Sequence, residues 1–408
     1  MTDVSRPCSL WHNLDYMLLW SGQLASVSGS AISGIAFPLF VLGLTHSPVQ
    51  AGIVGALGAV PYLLLGLPAG AFVDRWNRKK TMIICDAGRA ISLGSIPLML
   101  WLGHVSIVQL YIVAFVSGTL FVFFNVAEGA SLPRVVPQEQ LAAAISQNQG
   151  GLFLAGLLGP SIGGLLFQVN RVVPFAIDAV SYAASVFTLA AIRTEFQEER
   201  HTQPGNLIEG IREGLVWLWH QELVRFFTFL AASLNFVGGG AGLILIVLAR
   251  SQQASSVEIG LMFSLSGVGG LVGSIIAPRV EKRFTFGQVT VGMLWMMALL
   301  WPLYLIAPNP LALGAVSLGI NIFPPIGNAV QNSYRLALTP DAMQGRVGGA
   351  ISTLTAGINP FGQVVTGALL QSIGPRPTIV IFMVWLIIPA ASAVISSHVR
   401  HAPRLTRA

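Results

Sequence analysis

The sequence predicts an all-α membrane protein: twelve transmembrane helices arranged as two pseudo-symmetric six-helix bundles. Three observations predict it: too little charge for a water-facing surface, apolar blocks of bilayer length, and a register that repeats between the two halves. Of 408 residues, 54% are hydrophobic and 9% charged, whereas a typical soluble domain carries roughly a quarter charged residues. So few ionic groups cannot coat a particle in water, and lipid must serve as the solvent.

The apolar blocks are about 20 residues or longer, enough as helices to cross a hydrocarbon core about 30 Å thick. Bounded by charged residues and Pro, Gly or Asn breaks, they fall at 16–44, 49–73, 81–102, 106–131, 141–168 and 172–192 in the first half. In the second half they fall at 224–250, 257–279, 286–307, 310–336, 346–373 and 376–398. The first block exceeds a signal-peptide core and leads into further spans, so it is expected to remain as span 1. Assigning alternate connections to opposite faces places 19 of the 22 Lys and Arg on one face, with Arg89 counted at the start of span 3, and leaves Arg171, Arg250 and Arg376 on the other. Basic loops are retained in the cytoplasm, so both termini are expected there, in a multi-pass cell-membrane protein.

Topology thereby accounts for the net charge of +6, and no nucleic-acid partner is implied. Cys8 and Cys85 both fall on the cytoplasmic side, where a disulfide is not expected. Neither the cysteines nor the histidines have metal-ligand spacing, and nothing points to a cofactor. None of Lys79, Lys80 and Lys282 ends a phosphate-cradling glycine loop, which argues against an ATP-driven or catalytic protein.

The long polar connection from Arg193 to Gln221 divides the chain nearly in half. Within it Leu207, Ile211, Leu215 and Trp219 recur every fourth residue, the pattern of an amphipathic helix at the membrane surface. The expected units are therefore residues 1–195, a linker at 196–222, and residues 223–408. The halves match in detail. Asn125 and Pro137 at the end of span 4 reappear as Asn328 and Pro340 at the end of span 10, and the same offset carries Gly159, Gly164 and Gln168 onto Gly362, Gly367 and Gln371. Six spans return the chain to its starting face, so the copies run in the same direction, an architecture that places a site between two rocking bundles.

Gly70, Asp74, Arg75, Arg78, Lys79 and Lys80, between spans 2 and 3, resemble the signature loop of the major facilitator superfamily. In that family the glycine permits close helix approach and the aspartate meets the amino-terminal end of a helix of the other half, locking the outward-open state. The resemblance implies these gate roles for Gly70 and Asp74. Asp86 and Arg89, three apart on one helix face, are expected to pair with each other or to join this cluster. A solvated cluster obeying the positive-inside rule would explain Arg78, Lys79 and Lys80 equally well.

Gly156, Gly159, Pro160, Gly163 and Gly164 of span 5 look like the motif that marks exporters of the superfamily. Pro160 lacks an amide donor and should kink the helix, and the glycines should let a neighbouring helix pack close. Phe124, Asn125, Leu132, Pro133, Arg134, Pro137 and Leu141 narrow the resemblance to the macrolide-efflux and enterobactin-exporter branch. Two features of many drug antiporters of the family are missing: span 4 has no basic residue before Arg134, and Gly29 is followed by Ser30 rather than by an acid.

An ionised side chain near the bilayer centre costs roughly 2.5–3.5 kcal/mol on insertion scales, so those inside the spans need reasons. Glu128 in span 4 and Asp178 in span 6 are candidates for carrying a coupling proton. The structural alternatives are a snorkelling Glu128 or its salt bridge to Arg134, and a helix-to-helix hydrogen bond at Asp178. In the resembled family spans 1, 4, 7 and 10 face a central cavity. That implies a cavity lined by Gln23, Ser26 and Ser30, by Asn125, Asn235, Asn328 and Gln331, and by the apolar wall of Phe37, Phe121 and Phe124. The expected function is a monomeric, ion-gradient-driven exporter of small amphipathic or hydrophobic molecules, not an enzyme. An importer of the same fold and a non-transporting sensor are the competing readings.

Overall fold

The computed structural model describes residues 10–197, 207–340 and 343–396, which form helices and short connections with no strand among them. Cys8 and the predicted linker charges Glu198, Glu199 and Arg200 lie outside the described residues. Spans 1–6 are α1 (Leu14–Thr45), α2 (Pro48–Val73), α3 (Arg78–Trp101), α4 (Ile107–Val135), α5 (Leu141–Val169) and α6 (Val173–Ala191). The linker helix is α7 (Leu207–His220), and spans 7 and 8 are α8 (Glu222–Ser251) and α9 (Ser256–Arg283). Spans 9, 10 and 11 each consist of two pieces, α10 (Phe286–Leu300) with α11 (Leu303–Ile306), α12 (Pro310–Asn321) with α13 (Phe323–Leu338), and α14 (Gln344–Gly357) with α15 (Asn359–Ile373). Span 12 is α16 (Pro375–Ile395).

Eleven of these spans are long and apolar enough to cross a bilayer by composition. The remaining one, span 11, consists of α14 and α15 with Ile358 between them. The helix starts are written locally. Asn13, Ser47, Asn77 and Ser106 each accept a hydrogen bond from the backbone three residues on, which satisfies a donor that the first turn leaves free. Ser255 with Glu258 and Thr285 with Gln288 form reciprocal capping boxes at α9 and α10.

The sequence led us to expect continuous spans throughout, and the backbone does stay helical along each, but in spans 9, 10 and 11 the hydrogen-bond ladder skips one or two residues. Proline alone does not explain the breaks, because α1 to α5 contain Pro38, Pro61, Pro68, Pro97, Pro133 and Pro160 without interruption. The breaks come at Trp301 and Pro302, at Ile322 before the pair Pro324 and Pro325, and at Ile358 before Pro360. Two adjacent prolines remove two consecutive donors from one turn, a larger loss than a single proline imposes.

The bundles meet along two pseudo-symmetric seams, α5 against α9 and α2 against α15 and α14. Small residues make these approaches possible. A methyl group at Gly164 would collide with the Ser256 carbonyl, and one at Gly260 with the Pro160 carbonyl. Across the other seam, Gly52 faces the Gln363 carbonyl and Gly367 faces the Pro48 carbonyl. All these approaches lie toward the face opposite that where α1 begins and α16 ends; we call it the far face, and the other the terminal face.

Polar contacts close the far face. Arg250 Nη2 donates to the Leu39 carbonyl at 3.2 Å, Ser47 Oγ to Gln371 Oε1 at 2.9 Å, and Val257 N to Gln168 Oε1 at 3.4 Å. Somewhat deeper, Ser161 Oγ donates to Ser264 Oγ at 2.6 Å. Toward the terminal face α2 still touches the second bundle, Leu63 against Gly357 and Leu67 against Gly349. The α5–α9 seam opens instead: past the contact of Gly267 with the Gly156 carbonyl, a methyl group at Gly150 or Gly270 would meet nothing within 4 Å.

Candidate functional site

A cavity of about 690 Å³ lies between the bundles, with α1 to α6 on one side and α8, α9 and α15 on the other. Its volume falls in the range of drug-sized ligand sites. Among the predicted residues, Ser30, Phe37, Phe121, Gly156 and Pro160 line it, together with Arg89 and Asp178. Most of the remaining wall is glycine and aliphatic carbon, so Arg89 and Asp178 are its charged groups.

Arg89 is a correction to the sequence reading. It lies at the middle of α3, roughly 16 Å along the helix axis from Arg78, not at the membrane surface. Its guanidinium sits 4.1 Å from the Tyr182 ring centroid and 5.4 Å from that of Phe121, a cation held on aromatic faces. Its Nε is buried without a hydrogen-bond partner. Charge reaches it from two sides, because both Asp86 and Asp178 lie within its electrostatic influence.

Asp178 is 1% exposed and ties α6 to α1. It accepts hydrogen bonds from Ser33 Oγ and, at 3.5 Å, from Ser30 Oγ and Ser181 Oγ. Ser30 Oγ also meets Tyr182 Oη at 2.6 Å. Asp86 is fully buried, with Arg89, Glu128 and the Ser185 hydroxyl as neighbours, yet neither of its carboxylate oxygens has a hydrogen bond of good geometry. Glu128 turns inward toward Gln23. One guanidinium and three carboxyl groups thus share the interior of the first bundle, and their spacing along α3, α4 and α6 leads from the terminal-face side toward the cavity. Such a cluster cannot be fully ionised at low cost in lipid.

The signature-loop residues are placed differently from what the resemblance implies for a locked gate. Asp74 has a side chain 71% exposed and pairs with Arg78 Nη2 at 3.3 Å. The basic residues stitch the first bundle to itself: Arg78 Nη1 donates to the Ala130 carbonyl at 2.8 Å, and Lys79 Nζ to the Ile192 carbonyl at 2.5 Å. Arg75 is exposed, and Gly70 has open space where a side chain would start. Asp86 and Arg89 belong to the buried cluster and not to this loop.

The span 5 glycines serve two neighbours. Gly159 and Gly163 seat α1 at Ala31 and Ile32, while Gly164 seats α9. The remaining cavity candidates divide. Asn235, Asn328 and Gln331 line a second cavity of about 440 Å³ within the second bundle. Gln23, Ser26 and Phe124 are buried in the first bundle, Phe124 in an apolar cluster with Tyr16, Met82 and Leu132, and Asn125 is exposed; none of the four lines either cavity. The linker helix α7 rests its Gly214 on the Arg346 backbone, and Glu213 pairs with Arg346.

Comparison with known proteins adds a lineage. The family model described as Major Facilitator Superfamily matches residues 19–358. The chain is 25% identical to the multidrug efflux pump Tap of Mycobacterium tuberculosis over 88% of either chain. It is 27% identical to macrolide efflux protein A of Streptococcus pyogenes over 50% of this chain and 51% of that one. A bacterial homologue of the iron transporter ferroportin superposes with a TM-score of 0.74 in its inward-facing state, at 14% identity, covering 93% of this chain and 98% of that one. In its outward-facing state, over the same shares of the two chains, the score is 0.60.

Proposed function

The chain belongs to the Major Facilitator Superfamily, and from that premise we propose that it exports small amphipathic molecules by alternating access, driven by a proton gradient. That it is a multi-pass membrane transporter follows from its family; direction, coupling and substrate are our reading. The observation that carries the reading is the buried cluster of Asp86, Arg89, Glu128 and Asp178, whose Arg89 and Asp178 form part of the central cavity wall. A proton on Asp178 weakens its pull on Arg89, and its loss restores it. Because Asp178 is bonded to Ser30 and Ser33 of α1, that change is felt by a helix lining the substrate path.

The positive-inside asymmetry makes the terminal face cytoplasmic. The conformer is then inward-open, in keeping with its better superposition on the inward-facing relative. Outward export is supported by the two efflux-pump relatives and by the span 5 motif. The apolar surface of Phe37 and Phe121 in the central cavity suits the passage of a hydrophobic cargo.

Everted membrane vesicles energised with an acidic lumen test the proposal. A fluorescent amphipathic dye should accumulate, and a protonophore should abolish the accumulation. Asp178→Asn should lose uphill accumulation while retaining downhill dye movement, and Glu128→Gln should shift the pH dependence of uptake. Accumulation unaffected by the protonophore would remove proton coupling, and wild-type behaviour of both variants would return the two acids to structural roles.

A further inference from the structure

The second cavity lies inside the second bundle, off the axis between the halves, and meets the central cavity at Gly242 and Phe263, which line both. We propose that this side chamber, and not the charged wall of the first bundle, holds the substrate, and that it selects uncharged molecules carrying free hydroxyl groups on an apolar body. The inference rests on the transport reading above and names its substrate class.

Interruption of the helices is the first support. The helical hydrogen-bond ladder is interrupted in spans 9, 10 and 11, while each of spans 1–6 is one uninterrupted helix. The backbone stays in the helical region at these points, but the skipped bonds leave carbonyls without a helical donor, which at membrane depth is tolerated where they are enclosed by protein or line a cavity. Two of the breaks border this chamber: Trp301 and Tyr304 flank the break in span 9, and Asn321 and Pro324 that in span 10. In the repeat register Pro324 and Pro325 stand where span 4 has Phe121 and Val122, and α4 runs on unbroken.

The chemistry of the lining is the second support. The lining contains no Asp, Glu, Lys, Arg or His. Asn235 Nδ2 donates to the Ala231 carbonyl and Asn321 Nδ2 to the Ser317 carbonyl, both at 2.8 Å. A carbonyl only accepts, so these bonds fix the amide orientation and leave the two Oδ1 atoms as acceptors. Asn321 also keeps a main-chain carbonyl whose helical donor Pro325 cannot supply. The aromatic tips are already engaged, Trp301 Nε1 with the Ile379 carbonyl at 3.1 Å and Tyr304 Oη with Ser317 Oγ at 2.9 Å. What remains for a ligand is ring and thioether surface with amide oxygens that accept and spare amide N–H groups that donate, two roles that a hydroxyl fills at once. Pro324 and Pro325 strip two donors from the start of α13, so that helix end does not favour an anion. A cation would find no countercharge.

Protection from labelling tests this. With Cys8 and Cys85 replaced by serine, Ser266→Cys in the side chamber and Ser117→Cys in the central cavity are each reacted with N-ethylmaleimide in lipid nanodiscs. The probes are chloramphenicol, which is uncharged and carries free hydroxyls, its diacetate ester, which lacks those donors, and the cation tetraphenylphosphonium. Chloramphenicol should slow labelling of Ser266→Cys, and the other two should not. Adding Asn235→Leu or Asn321→Leu should raise the half-protecting concentration about tenfold, the scale of one hydrogen bond. Absence of chloramphenicol protection, equal protection by the diacetate or the cation, or protection confined to Ser117→Cys would overturn the proposal. Efflux of the same probes from cells separates the two readings. Protection at Ser266→Cys without efflux of any probe supports the chamber and removes export, whereas efflux with protection at Ser117→Cys alone does the reverse.

Discussion

Arg89 shows how far one side chain can depart from its sequence neighbourhood. Counted by position it belongs with the loop charges that precede span 3, but α3 carries it to mid-membrane, over Tyr182 and Phe121. Removing a cation that balances buried carboxylates is costly, of the order of 3–5 kcal/mol for a broken buried pair. Arg89→Leu should therefore lower the melting temperature of the purified protein, and the double variant with Asp178→Asn should recover much of the loss; equal melting of the single and double variants would dissociate the two residues. At the surface the opposite applies. Asp74 is largely exposed and paired locally with Arg78, so Asp74→Asn should leave folded yield unchanged. If the loop locks the outward-open state, the same variant should impair transport, and full transport would confine Asp74 to its contact with Arg78. The identity of these residues and the proximity of Asp86 to Arg89 on one helix face were readable in the sequence; the approach of Asp178 and Glu128 was not, because they lie on α6 and α4.

Among the elements, α5 carries information on more than one face. Its glycines read as a single motif, but Gly159 and Gly163 fit α1 whereas Gly164 fits α9. The first contact lies within a bundle and persists through any rocking motion. The second lies between bundles and exists while the far face is closed. Gly164→Val would push a side chain into the Ser256 carbonyl, an overpacking that costs about 1–3 kcal/mol and falls on the far-closed conformer alone. Its expected outcome is a folded protein with strongly reduced transport and increased labelling of far-face cysteines by impermeant reagents; unchanged labelling would mean that the seam yields without opening. Helix existence, capping and the proximity of α5 to a neighbour follow from local patterns. The interruptions of spans 9, 10 and 11 do not, since six single prolines in the first half leave their helices intact.

At the scale of the whole molecule, the far face is held by a small set of bonds between bundles, among them Ser47 to Gln371 and Arg250 to Leu39. The alternating access proposed above requires that they break in each cycle. Replacing Ser47 and Gln371 by cysteine, with Cys8 and Cys85 removed, should allow an oxidant to form a cross-link that stops transport and a reductant to restore it. Transport that continues in the cross-linked protein would show that the far face need not open there. The two halves also differ in chemistry despite their common origin: the first holds the buried Asp86 and Asp178, and the second holds the interrupted hydrogen-bond ladders and an uncharged chamber. Duplication supplies the frame, and divergence of side chains assigns the tasks.

Sequence by itself determined the number of crossings, the duplication, the basic asymmetry of the loops and the family, since each depends on hydrophobic length, spacing or motif along one strand of text. Tertiary structure alone decided that Arg89 serves the interior, that Phe124 packs away from the cavity, that Asn235 and Asn328 border a chamber separate from the one at Ser30, and that the far face is the closed one. The physical reason is that burial and partnership belong to the packed bundle. Which carboxylate a guanidinium faces, and which glycine meets which carbonyl, depend on helices remote in sequence coming together, and the spacing of residues within any one helix does not specify that.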